Sequence, residues 1–327
     1  MGFLLKALSL LFLLPVWGWG FLAILFASPG SDSIQFLQAG LFALLLPGIF
    51  FFSRSFFKGL FLCLGAFSLI LIWWQTLQPA GDKEWSPDVA RVAHGEIEGN
   101  VLTMHNVRNF HYSSEKDFEE NWETRRYNID ELQGLDMFFS YWASEHIAHA
   151  IMSWDFGQDQ HLAISIETRK DISQEYSAVK GFFKQFELSY VAADERDLVR
   201  LRTNFRKERV YAYRLQVSKE RSRALLEDYL LEMNTLVATP RFYDALSRNC
   251  TTAIYLHTKA INVDNPPPMD WKILASGHLD ELLYQEGVVS RQLPFASLRQ
   301  RSRIDLKMQS HGEEQFSRIL RQGLPKP

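Results

Sequence analysis

Cys250 and His149 have the side-chain types and the surroundings that thiol chemistry requires. Cys250 follows Asn249, a favoured N-cap residue, and Ile254, Leu256 and Ile261 continue the pattern of a helix. A cysteine in the first turn of a helix meets unpaired N–H groups and the positive end of the helix dipole. Both favour the thiolate, the nucleophilic form. A lone cysteine is otherwise most often a small buried hydrophobe. A base nearby shifts that balance, and a stretch far upstream offers one.

Glu145 to Phe156 reads as a strand, Gly157-Gln158-Asp159-Gln160 as a turn and His161 to Arg169 as the returning strand. Ala148, Ala150, Met152, Trp154 and Phe156 form one apolar face, and Leu162, Ile164 and Ile166 form its counterpart. One face of a sheet is ordinarily the buried one, and a one-residue slip would turn it over. Matching apolar to apolar closes the turn at Asp155/His161. It pairs Trp154/Leu162, Met152/Ile164 and Ala150/Ile166 on the buried face. The other face then carries Ser153/Ala163, Ile151/Ser165 and His149/Glu167. The pattern sets a carboxylate across from an imidazole, with side-chain bases ~5 Å apart. Such a carboxylate fixes the imidazole tautomer and raises its basicity. The bland alternative is an exposed cross-strand pair, and Ser165 or His161 could orient the imidazole in place of Glu167.

Other chemistries have less support. His146 and His149 invite a metal, but no His-Glu-x-x-His pattern occurs, and residues three apart on a strand point to opposite faces. No Gly-x-Ser-x-Gly elbow, Gly-x-Gly-x-x-Gly turn or Walker loop is present, so neither a serine hydrolase nor a bound cofactor is expected. Cys63 and Cys250 lie in unlike settings, which excludes a disulfide framework and a cysteine-rich zinc site. A net charge of -3 gives no sign of a nucleic-acid surface. The basic runs Arg200–Arg202 and Arg299–Arg303 read as solvated faces, or as contacts to anionic headgroups near a membrane.

The elements that must position these side chains follow an apolar N-terminal region. Between Gly2 and Trp74 the charged residues are Lys6, Asp32, Arg54 and Lys58. Runs over about 7–28, 34–52 and 59–77 each approach the ~20 residues that a bilayer demands. Lys6 and the Arg54/Lys58 loop carry the positive charge, which places the N-terminus in the cytoplasm and everything after Pro79 across the membrane. Trp73 and Trp74 sit where an interfacial belt belongs. A soluble domain begins near Trp85, with strands over Ile97–Arg108, an apolar lead-in over Asp136–Tyr141 and helical spacing in parts of 181–205. A strand at Val210–Leu215, a helix from Ser218 to Val237 and helices over 277–284 and 313–320 complete it.

The strings Asn106–Phe110, Trp142–His149, Ser165–Arg169, Asp194–Asp197, Asn249–Thr252, Gly277–Gly287 and Phe316–Pro325 resemble the Lnb N-terminal periplasmic domain family. They span nearly all of the chain after residue 90. The resemblance implies a permuted papain-like (NlpC-type) thiol fold in which histidine precedes cysteine, an arrangement shared by lecithin retinol acyltransferase. Members named for the activity transfer an acyl chain to the N-terminal amine of bacterial lipoproteins. By position Cys250 looks like the nucleophile and His149 the base, whereas the role of Glu167 comes from the strand register. The expected protein is thus α+β: a three-helix anchor over 1–79 and a periplasmic thiol domain with an antiparallel sheet over 80–327. Its expected partners are inner-membrane lipids, with phospholipids or lipoproteins as acyl donors or acceptors. A cell-wall cysteine peptidase or amidase and a non-catalytic envelope scaffold are the competing expectations. Unlike the named acyltransferases, this chain has nothing after residue 80 that returns to the bilayer.

Overall fold

The three apolar runs fold as helices α1 (Gly2–Ala27), α2 (Asp32–Phe52) and α3 (Phe56–Thr76). The computed structural model describes residues 2–81 and 83–325, with the backbone alone at 2–12, 51 and 143. Over the described residues, α2 and α3 are long and apolar enough to cross a membrane, and α1 contributes a shorter apolar stretch, Leu13–Ala27. The start of the expected first span, at 7–12, lies outside the described side chains. Phe52 is 90% exposed, Phe61 81% and Leu44 76%, which a core helix would not allow and a lipid-facing helix would. Trp17, Phe42, Leu46, Phe50 and Cys63 pack inside the bundle. Residues 1–83, 175–187 and 241–244 group as one compact unit. Its short helix α4 (Ala178–Gly181) precedes Lys184, whose Nζ donates to Trp74 O at 2.7 Å.

The second unit, residues 84–174, 188–240 and 245–327, is built on a sheet. In chain order the strands are β1 (His94–Glu98), β2 (Val101–Arg108), β3 (His111–Tyr112), β4 (Phe118–Glu119) and β5 (Trp122–Asn128). They continue with β6 (Gly134–Ser144), β7 (Ile147–Asp155), β8 (His161–Arg169), β9 (Glu187–Ala193) and β10 (Arg209–Arg214). The spatial order is β1-β2-β9-β8-β7-β6-β10, with β5 also on β2, and β3 and β4 form a separate ribbon. The sheet is mixed, not antiparallel as expected, because Arg108 of β2 and Ala193 of β9 pair in parallel. The segment expected to be partly helical yields β9, all of it buried. It gives helix only afterwards, as α5 (Glu195–Arg200) and a π-turn over Leu201–Phe205. A strand covered on both faces loses its alternation, which hides β9, while the expected helical part of the segment is α5.

Helices α6 (Lys219–Ala238), α7 (Cys250–Ala260), α8 (Trp271–Leu274), α9 (Leu279–Gln285), α10 (Phe295–Ser302), α11 (Asp305–Met308) and α12 (Phe316–Arg321) follow. α6 opens at Ser218, as expected, with Ser218 accepting from Arg221 N. The β7–β8 hairpin forms in the expected register, from Asp155/His161 to Ile151/Ser165. Both of its faces are buried, however, where one was expected. Trp154 packs edge-on against Tyr229 of α6 and donates to Ser222 O at 2.8 Å. On the opposite face Ile151 and Ala163 join Phe138, Leu198, Met308 and Phe316. β7 starts at Ile147, because Glu145 and His146 form the turn from β6, which is a full strand and not a lead-in.

Two charge clusters fix this frame. Asp197 takes both Nε and Nη2 of Arg108 and also the Phe110 N–H, with side-chain exposures of 4% and 0% for the ion pair. Arg321 stands between Asp136 and Glu195, at 2.6 Å from each. Burial alone would raise Glu195, but Arg321 overrides it and holds the carboxyl at about 2.

Candidate active site

α7 begins as its sequence requires. Asn249 Oδ1 accepts from Thr251 N at 3.0 Å and Thr252 N at 2.9 Å, and Thr252 Oγ1 accepts from Asn249 N at 2.9 Å. This capping box makes Cys250 the first helical residue. Thr251 Oγ1 donates to Ile273 O at 2.6 Å, tying the helix start to α8. Two turns further on, His257 is clamped between Asp228 of α6 and Tyr190 of β9, with both bonds at 2.6 Å. The helix therefore cannot slide along the sheet, and the position of its first residue is set.

The β7–β8 ladder stops at Ile151/Ser165, and the start of α7 meets β7 just beyond that point. Cys250 Sγ points at Ala148 O, 4.0 Å away. His149, the next residue after Ala148, is the group whose charge acts most strongly on the sulfur in favour of the thiolate. Its Nε2 is 2.6 Å from Ser165 Oγ and 3.2 Å from Glu167 Oε1. Ser165 Oγ donates to that same carboxylate oxygen at 2.6 Å. Arg202 Nη2 reaches it as well, at 2.9 Å, while Nη1 is anchored on Leu198 O at 3.0 Å.

The electrostatics follow from this array. Burial disfavours the imidazolium, but the Glu167 carboxylate and the Cys250 sulfur outweigh it and push His149 up to about 9. Burial would raise Glu167, and His149 and Arg202 instead hold it well below the usual carboxylate range. Burial also works against a thiolate, and the neighbouring His149 and the Ala150 N–H bring Cys250 below the ordinary thiol value. Both shifts run in the direction of a thiolate–imidazolium pair, although Cys250 is only 9% exposed.

Cys250, His149 and Glu167 are therefore brought together, and Ser165 joins them between imidazole and carboxylate. His161 does not. It lies at the turn end of the hairpin, 3.5 Å from Asp155. His146 pairs with His278 at 2.8 Å, beside Trp271, and no group of three or more metal-ligating side chains occurs among the described residues. Arg202 is a correction: the basic run that reads as solvated places this residue at 4% exposure on Glu167. Apolar Leu198, Val199 and Leu201 beside it were the signal that part of the run turns inward. Thr251 N–H is taken by Asn249, and no partner for the Cys250 N–H occurs among the described residues.

No curated protein matches the chain, and no solved structure does. The motif strings at 106–110 and 316–325 fall outside the family match, whereas those holding His149, Glu167 and Cys250 fall within it. Residues 118–277, just under half of the chain, match the family described as the Lnb N-terminal periplasmic domain.

Proposed function

We propose that this is a membrane-anchored periplasmic thiol enzyme, an acyltransferase or hydrolase acting on acyl groups of lipids or lipoproteins. The observation that carries the reading is the seat of Cys250 against β7 at Ala148, beside His149, whose Nε2 is held by Ser165 and Glu167. A periplasmic domain family and two membrane-length apolar helices in one chain support the location. In its full form the reading has three crossings over 1–79, a cytoplasmic N-terminus and a permuted papain-like domain over 80–327.

In this reading His149 takes the thiol proton, and the sulfur attacks the carbonyl carbon of an acyl ester. The tetrahedral oxyanion accepts from the Cys250 N–H, a kind of donor worth roughly 3 kcal/mol. Its collapse breaks the ester C–O bond, and the imidazolium protonates the departing alcohol. The thioester on Cys250 then passes its acyl group to an amine or to water, and the thiol is restored. Intact-mass spectrometry of protein incubated with membranes should find an acyl adduct on Cys250 that Cys250→Ala lacks. An adduct bearing a peptide fragment would move the reading to a cell-wall peptidase or amidase. The 9% exposure of Cys250 is what a non-catalytic scaffold would have. Unaltered phenotypes in Cys250→Ala, with no adduct of either kind, would establish that alternative.

A further inference from the structure

Residues 175–187 belong to the same compact unit as α1, α2 and α3, although 110 positions separate Lys184 from Trp74. Phe183 is only 5% exposed. Its ring centroid lies 5.6 Å from Phe26 and 6.3 Å from Trp19 of α1, and 6.2 Å from Trp74 of α3. Lys184 Nζ, which donates to Trp74 O, also stands 5.0 Å over the Trp74 ring. Phe26 is the last residue but one of α1, and Trp74 the last but two of α3. Phe183 is therefore wedged between two helix ends on one side of the bundle. Trp19 is eight residues short of Ala27, about 12 Å of helix, so Phe183 reaches below the level at which α1 ends. For helices that cross a bilayer, that level is the boundary of headgroups and acyl chains, where tryptophan rings collect.

What this segment leaves uncovered is apolar too. Tyr176 is 51% exposed, Val179 50% and Phe182 46%. They recur every three positions around α4, the spacing that sets side chains on one face, while Gly181 and Phe183 are the buried positions of the same turn. One exposed apolar side chain is ordinary, but three on a face that is pinned to the end of a membrane bundle call for a cover. The level of Phe183 decides what covers them. We propose that residues 175–187 form an interfacial element whose Tyr176, Val179 and Phe182 side chains enter the lipid leaflet beside α1 and α3. Lys180, next to Val179, has the long stem that lets an ammonium reach headgroup phosphates from that depth. The chain thus touches the bilayer again after residue 80, with a stretch far shorter than a span, which hydropathy does not register. The proposal rests on the membrane anchor of the proposed function and not on its thiol chemistry.

The test is the depth of spin labels in the full-length chain carrying Cys63→Ala and Cys250→Ala, reconstituted in nanodiscs of phosphatidylethanolamine and phosphatidylglycerol. One nitroxide is attached through Val179→Cys, Phe182→Cys or, as the lipid-facing reference on α3, Phe61→Cys. Collisions with oxygen, which concentrates among acyl chains, are compared with collisions with a water-soluble nickel chelate. The 179 and 182 labels are expected to favour oxygen, at about 5–10 Å below the phosphates, and the 61 label to lie deeper. Labels at 179 and 182 that favour the chelate, with the 61 label in lipid, overturn the proposal and leave the anchor standing. Shielding from both reagents, with dipolar broadening between copies, shows that a second copy covers the face and overturns it too. A 61 label that favours the chelate removes the anchor and the proposal together. All three substituted labelling positions are exposed, so no packed side chain is lost there.

Discussion

Glu167 Oε1 lies 3.2 Å from Nε2 of His149, the ring nitrogen that Ser165 Oγ also meets at 2.6 Å. The pair decides which tautomer and which charge the sulfur meets. Arg202, 2.9 Å from the same oxygen, keeps the carboxylate turned toward the imidazole. A thiol, a base and an orienting group are thus held in series by side chains from α7, β7, β8 and the π-turn after α5.

The thiol should titrate low. Cys250 is held below its usual value by His149 and the Ala150 N–H. Alkylation by iodoacetamide at pH 6 should therefore run at least ten times faster than for a thiol with an unperturbed pKa of about 8.5. His149→Ala should move the midpoint of the pH–rate profile up toward that value. A midpoint already near 8.5 in the unaltered protein would end the thiolate reading.

Acid stability should report on Glu167. Its folded pKa is depressed below the unfolded value of about 4.3, so its contribution is present above that pH and is lost as pH falls through the folded value. Glu167→Gln should lower the melting temperature at pH 7, and the gap to the unaltered protein should close on acidification. Melting curves taken from pH 7 to pH 3 check this, and a gap that widens toward low pH contradicts it.

Much of this array is written locally in the chain. The alternation in 148–156 and 162–166 carries the register, and Asn249 followed by Thr252 carries the helix start. Both are short-range patterns that backbone sterics and capping read directly. Arg202 is different, because its inward turn depends on a π-turn and on a carboxylate thirty-five positions away. β9 was hidden for a related reason: with every residue buried, it has no polar face to mark its period. The same holds for the hairpin's second buried face, which only helices far along the chain create.

The Arg108–Asp197 pair should be costly to break. Removing one partner leaves a buried charge, so Arg108→Leu is expected to cost about 3–5 kcal/mol of unfolding free energy. The double variant Arg108→Leu/Asp197→Leu should recover part of that loss. Urea titration of the full chain in detergent measures both, and equal losses in the single and double variants would show that the charge is not the cause.

Gly277 is a contact that tolerates no side chain. A Cβ there would sit 2.2 Å from Glu145 O and 2.6 Å from the His146 carbonyl carbon, against backbone that cannot swing aside. Gly277→Ala should destabilise by about 1–3 kcal/mol. It should also slow alkylation of Cys250, because Ser276 Oγ accepts from Ala148 N beside the sulfur. Gly312→Ala, where nothing lies within 4 Å, is the control expected to be silent.

The sulfur and its strand contact at Ala148 are 102 positions apart. Joining them costs about 4 kcal/mol in loop-closure entropy before any contact is gained. Histidine, serine, glutamate and arginine all belong to one nearby portion of the chain and can assemble while the cysteine is still to be synthesised. The lowered thiol pKa is therefore conferred by the last docking event: a nascent or partly unfolded chain carries an ordinary thiol, and only the finished domain sets it beside His149.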